Sequence, residues 1–204
     1  MSHFWPASRF NRILTIFLLT NACFSDRIRA WKGRCFKMSS YEVRAIKFIH
    51  QVFDFLQECH TAVDYYDAIY LFNKAFNRKV QCGNGQTRIA LITSDYVVKF
   101  DYSARGVRRW GGCEAEYSFY QDALRDGYEY LFAKIKPYYY RGQVFYIMPR
   151  IHGIGRKPYD ADEYMTSDEA YYCYDNGVCD LHNFNYGWKD GHVVLIDYAA
   201  NEYR

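Results

Sequence analysis

The sequence predicts an α+β fold, and three observations support this class. Apolar side chains recur at helical spacing in residues 39–76. Residues 78–148 follow the order strand, strand, strand, helix, strand, strand, and residues 166–197 add a short helix, a loop and a hairpin. Half of the 204 residues are apolar, which suffices for one sizeable core or a two-lobed domain but not for two ordinary domains.

Capping signatures predict where the helices of the first segment begin. Ser39 and Glu42 form a capping box, in which the Glu side chain reaches back to the N-cap residue. Thr61 and Asp64 repeat the signature and predict a second helix that runs to about Phe76. Neither helix carries a pattern of chemically active side chains, so we predict that both are packing elements.

Alternating apolar residues and turn signals predict the sheet. A Gly83-Asn84-Gly85 loop is expected to join the first two strands, and Arg141-Gly142 is expected to form a tight turn between the last two. After the first strand, near residues 79–82, we predict strands at 87–92, 96–100, 132–140 and 143–148, and a helix at 113–124.

The C-terminal segment begins with a third capping box, at Thr166 and Glu169. The short helix that it opens is expected to end at Asn176-Gly177. A turn at residues 189–191 and an apolar strand at 193–197 then predict a hairpin.

Three polar residues around this hairpin have the chemistry of phosphoryl transfer. Asp180 precedes Asn185 by five residues, and Asp197 follows at the end of the apolar strand. Transfer from ATP uses a carboxylate that orients the attacking hydroxyl, and hard oxygen ligands for Mg²⁺. Asp180 is the candidate base, and Asn185 and Asp197 are the candidate metal ligands.

The run Asp180-Leu181-His182-Asn183-Phe184-Asn185 resembles the D-L-H-x-x-N catalytic loop of aminoglycoside-phosphotransferase-like and other atypical kinases. It looks closest to small kinase-like proteins of bacteriophages and bacteria. The resemblance covers about residues 78–200. It implies a protein-kinase-like two-lobed fold with a five-stranded antiparallel N-lobe, and it implies ATP and Mg²⁺ as cofactors. Seven residues follow Asp197 here, so a strongly truncated C-lobe is expected.

Two upstream residues lie where the resemblance requires them. Lys99 matches the strand lysine of V-A-I-K, which pairs with ATP phosphates and with a glutamate on the next helix. Glu116 is our preferred partner because apolar or aromatic residues follow it at helical spacing, so that its side chain points inward. Glu114 is the alternative, but Ser118 follows it at that spacing.

The resemblance also implies a nucleotide site at Gly83, Gly85 and Met148. The pattern departs from the family in several places: Arg88 stands at the third glycine position of the Gly-rich loop, and Val178 and Cys179 replace the His and Arg before the catalytic Asp. Without that Arg, control by a phosphorylated activation loop is not expected. His182 is expected to orient the loop.

The chain therefore divides into an N-terminal extension (1–38), a helical extension (39–76), a kinase-like N-lobe (77–148) and a minimal C-lobe (149–204). We expect the helical extension to replace some of the missing lower-lobe surface. We predict a minimal protein kinase that acts on Ser, Thr or Tyr and that is phage-encoded, with host proteins as targets. The alternatives are a small-molecule kinase of the aminoglycoside or choline type, with a hydroxyl acceptor, and a pseudokinase that serves as a nucleotide-binding or inhibitory module.

Composition argues against other partners. A net charge of +3 is too mild to indicate a nucleic acid or a membrane, and Arg105, Arg108, Arg109 and Trp110 in one loop make a small footprint for a nucleic acid. Seven cysteines without a C-x-x-C pair indicate reduced thiols and a cytoplasmic location, in the host if the chain is phage-encoded. The apolar run at residues 13–19 is short for a signal or a membrane helix, so no export is expected. Met1 and Met38 both remain possible starts.

Overall fold

The computed structural model describes residues 38–58, 65–84, 88–101, 112–153, 164–178, 181 and 183–198. Its helices and strands, in chain order, are α1 (Ser40–Glu58), α2 (Tyr65–Phe76), β1 (Gln81–Asn84), β2 (Arg88–Ile92), β3 (Tyr96–Asp101), α3 (Gly112–Asp126), β4 (Lys136–Tyr140), β5 (Gln143–Pro149), β6 (His152–Gly153), α4 (Ser167–Asp175), β7 (Tyr186–Lys189) and β8 (His192–Leu195). Short 3-10 turns occupy Glu129–Leu131 and Asn183–Asn185. The predicted α+β class is confirmed.

Strands β1 to β5 form one antiparallel sheet in the order β1-β2-β3-β5-β4, and β6-β7-β8 form a second, smaller sheet. The five-stranded antiparallel sheet was predicted and is present. Each sheet contains a tight turn that was predicted: Arg141 and Gly142 in the first sheet have positive φ (48° and 83°), and so do Asp190 and Gly191 in the second (51° and 86°). Such turns match the twist of hairpin strands, which is why these dipeptides close β4–β5 and β7–β8.

Helices α1 and α2 cover one face of the five-stranded sheet. Their buried side chains form one cluster with the sheet residues Ile89, Leu91, Val98, Phe100, Phe145 and Ile147. Within this cluster the rings of Phe48 and Phe55 pack edge-on against Phe72, at 5.8 and 5.6 Å between centroids. The prediction that both helices are packing elements is therefore confirmed, and the surface that they cover is a face of the five-stranded sheet and not the lower lobe.

The opposite face of the sheet carries Lys99 and packs against α3 and the C-terminal hairpin. Directly paired residues of antiparallel strands point to the same side, so Ala90 and Tyr146, which pair with Lys99, share its face. Tyr146 and Met148 belong to a second core cluster with buried residues of α3, α4, β7 and β8. Lys99 thus lies between the five-stranded sheet and the layer formed by α3 and the C-terminal hairpin.

Two of the predicted strand limits are wrong. Gly83 was expected in a loop, but it lies within β1, where it pairs with Ala90. The strand expected from residue 132 begins only at Lys136, because the preceding segment turns to the other sheet: Phe132 bridges Leu195, and Ala133 N–H donates to the Leu195 carbonyl at 2.8 Å. In the first case the pairing of β1 with the next strand extends through Asn84, opposite Ile89, and in the second case pairing with a distant strand outweighs local preference.

The capping prediction at Thr166 is confirmed, with both reciprocal hydrogen bonds to Glu169 present. The predicted stop follows, since Gly177 has a φ of 83°. Cys113 and Cys173 are buried free thiols whose pKa values are raised, chiefly by burial, as expected for cysteines that act as small apolar residues. The predicted capping box at Thr61 and Asp64 lies outside the described residues.

The start of α1 is held by a charged contact. The Ser39 N–H donates to Glu42 at 2.7 Å, and Lys136 from β4 lies 2.5 Å from the same carboxylate. Burial alone would raise the pKa of Glu42, but these two hydrogen bonds outweigh it and hold the pKa below its ordinary value of 4.5. Glu42 is 3% exposed, so the contact joins α1 to the edge of the sheet.

We expect Glu42→Gln to lower the free energy of unfolding by about 1–2 kcal/mol at pH 7. A carboxylate whose pKa is depressed in the folded state stabilises the fold above its unfolded pKa, and this contribution is lost as pH falls through the folded pKa. The difference between wild type and variant should therefore vanish in acid, well below pH 4.5. Urea unfolding at several pH values measures this. Glu114→Gln, in the exposed first turn of α3, is the matched control; an equal loss there would contradict the assignment.

Among the residues that the structure describes, no helix is long and apolar enough to cross a membrane.

Candidate functional site

The centre of the site is a buried ion pair between β3 and α3. The Lys99 ammonium donates to both carboxylate oxygens of Glu116, at 2.9 and 3.0 Å. Lys99 is 6% exposed and Glu116 is fully buried. The third contact of the ammonium is the backbone carbonyl of Ile196, at 3.0 Å, which ties the pair to the segment after β8. The contact between Lys99 and Glu116 was predicted from the sequence and is present, whereas Glu114 is exposed.

Helix α3 places Glu116 through an apolar face and a polar cap. Cys113, Phe119, Tyr120 and Ala123 are buried on the same helix, which turns the Glu116 side chain inward. At the start of α3 the Asp101 carboxylate, from the end of β3, accepts a hydrogen bond from Cys113 N–H at 3.1 Å. A carboxylate at a helix N-terminus satisfies a free backbone donor and complements the helix dipole.

Asp197 and Arg88 complete the charged cluster. Asp197 lies two residues beyond β8, 3.9 Å from the Lys99 ammonium, and accepts a hydrogen bond from the Arg88 guanidinium. Arg88, the first residue of β2, also lies 3.4 Å from Glu116. The two carboxylates differ in access, since the Asp197 side chain is 40% exposed and that of Glu116 is fully buried. Of these two, only Asp197 can be reached by a ligand from solvent.

Hydrogen bonds of the backbone place Asn185 and Tyr198 beside the charged cluster. Ile196 N–H donates to the Asn185 carbonyl at 2.7 Å, which continues the β7–β8 ladder and sets the buried Asn185 opposite the residue before Asp197. Tyr198 N–H donates to Glu116 at 3.1 Å, and its hydroxyl donates to the Ala133 carbonyl at 2.7 Å. Burial raises the pKa of Tyr198 far above 10, so this hydroxyl stays protonated. Both sides of Asp197 are thereby held.

Full burial raises the pKa of Glu116, and the positive charges of Lys99 and Arg88 oppose that shift. The cluster therefore depends on its cations, because a buried carboxylate stays ionised only while paired charges and hydrogen bonds compensate its lost hydration.

The oxygen donors present suit Mg²⁺ in kind. Magnesium is usually bound through one or two carboxylates, with phosphates and waters completing the shell, and amide oxygens are acceptable ligands. Asp197 and Asn185 would supply such oxygens. In the described part of the chain, no group of three or more His, Cys, Asp or Glu side chains could hold a metal ion.

No known family matches the chain, and no curated protein matches it in sequence. Among solved structures, a co-crystal structure of WbdD with a kinase inhibitor is similar, with a TM-score of 0.34 and 17% sequence identity. The alignment covers 60% of this chain and 33% of that one, so this chain matches about a third of the length of the solved structure.

Of the other predicted site residues, Gly83 and Met148 lie on the Lys99 face of the sheet, and three are outside the described residues. Asp180, His182 and Gly85 are outside them. Met148 is buried in the core on the Lys99 face, paired directly with Val97. Gly83 lies in β1, where an added Cβ would make only ordinary contact with Ala90, 3.7 Å away, so the strand does not require glycine there. The nucleotide-binding roles of Gly83 and Met148 stay predictions.

Three residues of the site were not assigned a site role from the sequence: Arg88, Asp101 and Tyr198. Arg88 was noted only as a departure from the glycine pattern. The usable signal was strand alternation, because Arg88 has the parity of Ala90 and hence shares the face of Lys99 once the register is known. Aspartate is a residue type that caps helices, but eleven residues, 102–112, separate Asp101 from the predicted start of the helix at residue 113.

Proposed function

We propose that the chain is an ATP- and Mg²⁺-dependent phosphotransferase and, more specifically, a minimal protein kinase that acts on Ser, Thr or Tyr hydroxyls. The observation that carries the proposal is the buried Lys99–Glu116 pair with Asp197 3.9 Å from the ammonium. Burying two charges is costly, and apolar residues of similar volume often serve stability equally well. A lysine oriented by a glutamate beside a partly exposed carboxylate suits binding of a phosphate group.

Lys99 would act as the phosphate anchor. Two of its contacts go to Glu116, which fixes the direction of the ammonium, and the third goes to the neutral carbonyl of Ile196. A phosphate oxygen would exchange that neutral acceptor for a charged one, and charge-assisted hydrogen bonds are about twice as strong as neutral ones. Glu116 and the cap at Asp101 act as positioning groups for this anchor.

Asp197 and Asn185 would hold the metal ion, and Asp180 would orient the acceptor hydroxyl and take its proton. Bound Mg²⁺ supplies positive charge that bridges phosphate oxygens. The β7–β8 ladder, continued by the Ile196–Asn185 hydrogen bond, keeps residue 185 just before β7 and residue 197 just after β8, at the same end of the hairpin. The role of Asp180 rests on the likeness of its motif to kinase catalytic loops.

The acceptor and the setting are part of the same proposal. A protein hydroxyl is the proposed acceptor, and a small-molecule hydroxyl is the alternative that the label-transfer experiment separates from it. We place the activity in the cytoplasm, and in the host cytoplasm for a phage-encoded chain that acts on host proteins. No nucleic-acid or membrane partner is proposed.

The deciding experiment is transfer of label from γ-labelled ATP with Mg²⁺, using the chain alone and with a bacterial lysate. We expect labelled protein bands with the wild type. Asp180→Asn and Asp197→Asn should each lower transfer by about 100-fold or more, because each removes a group that acts in the transition state. Asp190→Asn, in the exposed β7–β8 turn, is the matched control and should leave transfer unchanged.

A second candidate is a nucleotide-binding module without transfer activity, which the contact of Arg88 with Asp197 favours, since it occupies a candidate metal ligand. Thermal unfolding with and without Mg·ATP separates the two. A shift in melting temperature without label transfer would support the module. If the melting temperature does not shift and no label is transferred, the proposed function is wrong.

A further inference from the structure

Arg88 connects three parts of the site. Its guanidinium donates to Asp197 after β8 and to the Gly112 carbonyl at the start of α3, the latter at 3.3 Å, and lies 3.4 Å from Glu116. The side chain is 18% exposed, compared with 53% for Arg44, which pairs with Asp95 through the same kind of contact elsewhere on the protein. Arg88 is therefore a largely buried part of the cluster.

The four charged groups form a closed set. Arg88 and Lys99 supply two positive charges, and Glu116 and Asp197 supply two negative ones. Glu116 lies 2.9 Å from Lys99 and 3.4 Å from Arg88, and Asp197 lies 3.9 Å from Lys99. An arginine in a protein stays charged. Asp197, which the proposed function makes a metal ligand, therefore already has a cation bound to its Oδ1 oxygen.

We propose that Arg88 is a positioning residue for Asp197 that takes the place of Mg²⁺ at that carboxylate and has to release Oδ1 before the metal binds. The inference rests on the proposed function, because it concerns the metal ligand of that same site. A guanidinium and a divalent cation on one carboxylate oxygen repel each other at close range. Binding of the metal alone therefore competes with Arg88.

Nucleotide phosphates would change this balance. They add negative charge beside Arg88 and Lys99, so a guanidinium that leaves Asp197 gains a new charged acceptor. Metal and nucleotide then bind with positive coupling, and each raises the affinity for the other by the same factor. Arg88 thus makes entry of Mg²⁺ depend on the nucleotide, while it holds Asp197 in place beforehand.

The test measures binding of Mn²⁺ alone, by its electron paramagnetic resonance signal, to the full chain without nucleotide. If Arg88 occupies Asp197 about nine-tenths of the time, the apparent affinity of the wild type is about tenfold below the intrinsic one. Arg88→Gln should therefore bind Mn²⁺ about tenfold more tightly than the wild type, and Asp197→Asn in that background should abolish the gain. Arg44→Gln is the matched control, with unchanged affinity.

Arg88→Lys guards against loss of folding in the glutamine variant. It keeps the positive charge but not the forked contact, so an affinity between those of wild type and Arg88→Gln, about threefold above wild type, is expected. Equal or weaker Mn²⁺ binding in both variants would overturn the inference. If the Arg88 variants bind Mn²⁺ more tightly but the wild type transfers no label, the inference is supported and the proposed kinase activity is not. If the wild type transfers label but the variants bind Mn²⁺ with unchanged affinity, only the inference is overturned.

Discussion

Glu116→Ala is expected to lower the free energy of unfolding by about 3–5 kcal/mol, because it leaves buried Lys99 without the carboxylate that accepts two of its hydrogen bonds. Arg88 and the Tyr198 N–H lose a partner as well. The variant should also lose phosphoryl transfer, since the Lys99 ammonium is no longer oriented. Chemical denaturation measures the first effect and label transfer from ATP the second.

Glu114→Ala is the matched control for this prediction. Glu114 lies on the same helix two residues earlier but is exposed, so its replacement should change stability by less than about 0.5 kcal/mol and leave transfer intact. Similar losses in the two variants would mean that the loss of a negative charge near the start of α3, and not the ion pair, determines the result. Full stability of Glu116→Ala would contradict the buried pair itself.

Deletion of residues 1–76 is expected to leave no soluble folded protein. The deletion removes α1 and α2 and exposes the sheet residues that they cover, among them Leu91 and Val98, both fully buried. A contiguous apolar face of this kind drives aggregation, and the lost burial exceeds the few kcal/mol that separate folded from unfolded states. Solubility and circular dichroism of the shortened chain measure the outcome.

A chain that begins at Met38 is the control for the deletion, because it keeps every contact described for α1 and α2, and it should fold. Phe72→Ala gives a graded version: Phe72 is fully buried in α2, and its truncation should cost about 3–5 kcal/mol. Tyr70→Ala on the same helix, 67% exposed, should cost less than about 0.5 kcal/mol. A soluble, cooperatively folding 77–204 fragment would contradict the packing role of the helices.

Much of the site was predictable where local rules were enough. Glu116 was chosen over Glu114 because apolar residues at helical spacing determine which side of a helix is buried, and the structure places Glu116 against Lys99. The turns at Arg141-Gly142 and Asp190-Gly191 and the cap at Thr166 were likewise predicted from neighbouring residues. Each of these features depends on a few consecutive residues, so each can be recognised without knowing the fold.

Other parts of the site depend on strand register, which no short stretch of sequence specifies. Arg88 reaches Asp197 only because β2 pairs with β3 so that Ala90 lies opposite Lys99, and a slip of one residue would turn Arg88 to the opposite face. The segment after Leu131 was predicted as strand because it is apolar, yet its backbone bonds to Leu195 instead. Such pairings are decided by partners tens of residues away.

By itself the sequence determined the α+β class, the order of the elements apart from β6, and the contact between Lys99 and Glu116. The roles of Asn185 and Asp197 in phosphoryl transfer stay predictions. Only the tertiary structure decided that α1 and α2 cover the sheet and that Arg88, Asp101 and Tyr198 belong to the site. The physical reason is range: helix periodicity, caps and turns are set by residues close in the chain, whereas sheet register, the covering of a sheet face and charge pairing between elements are set by the total free energy of contacts between distant segments.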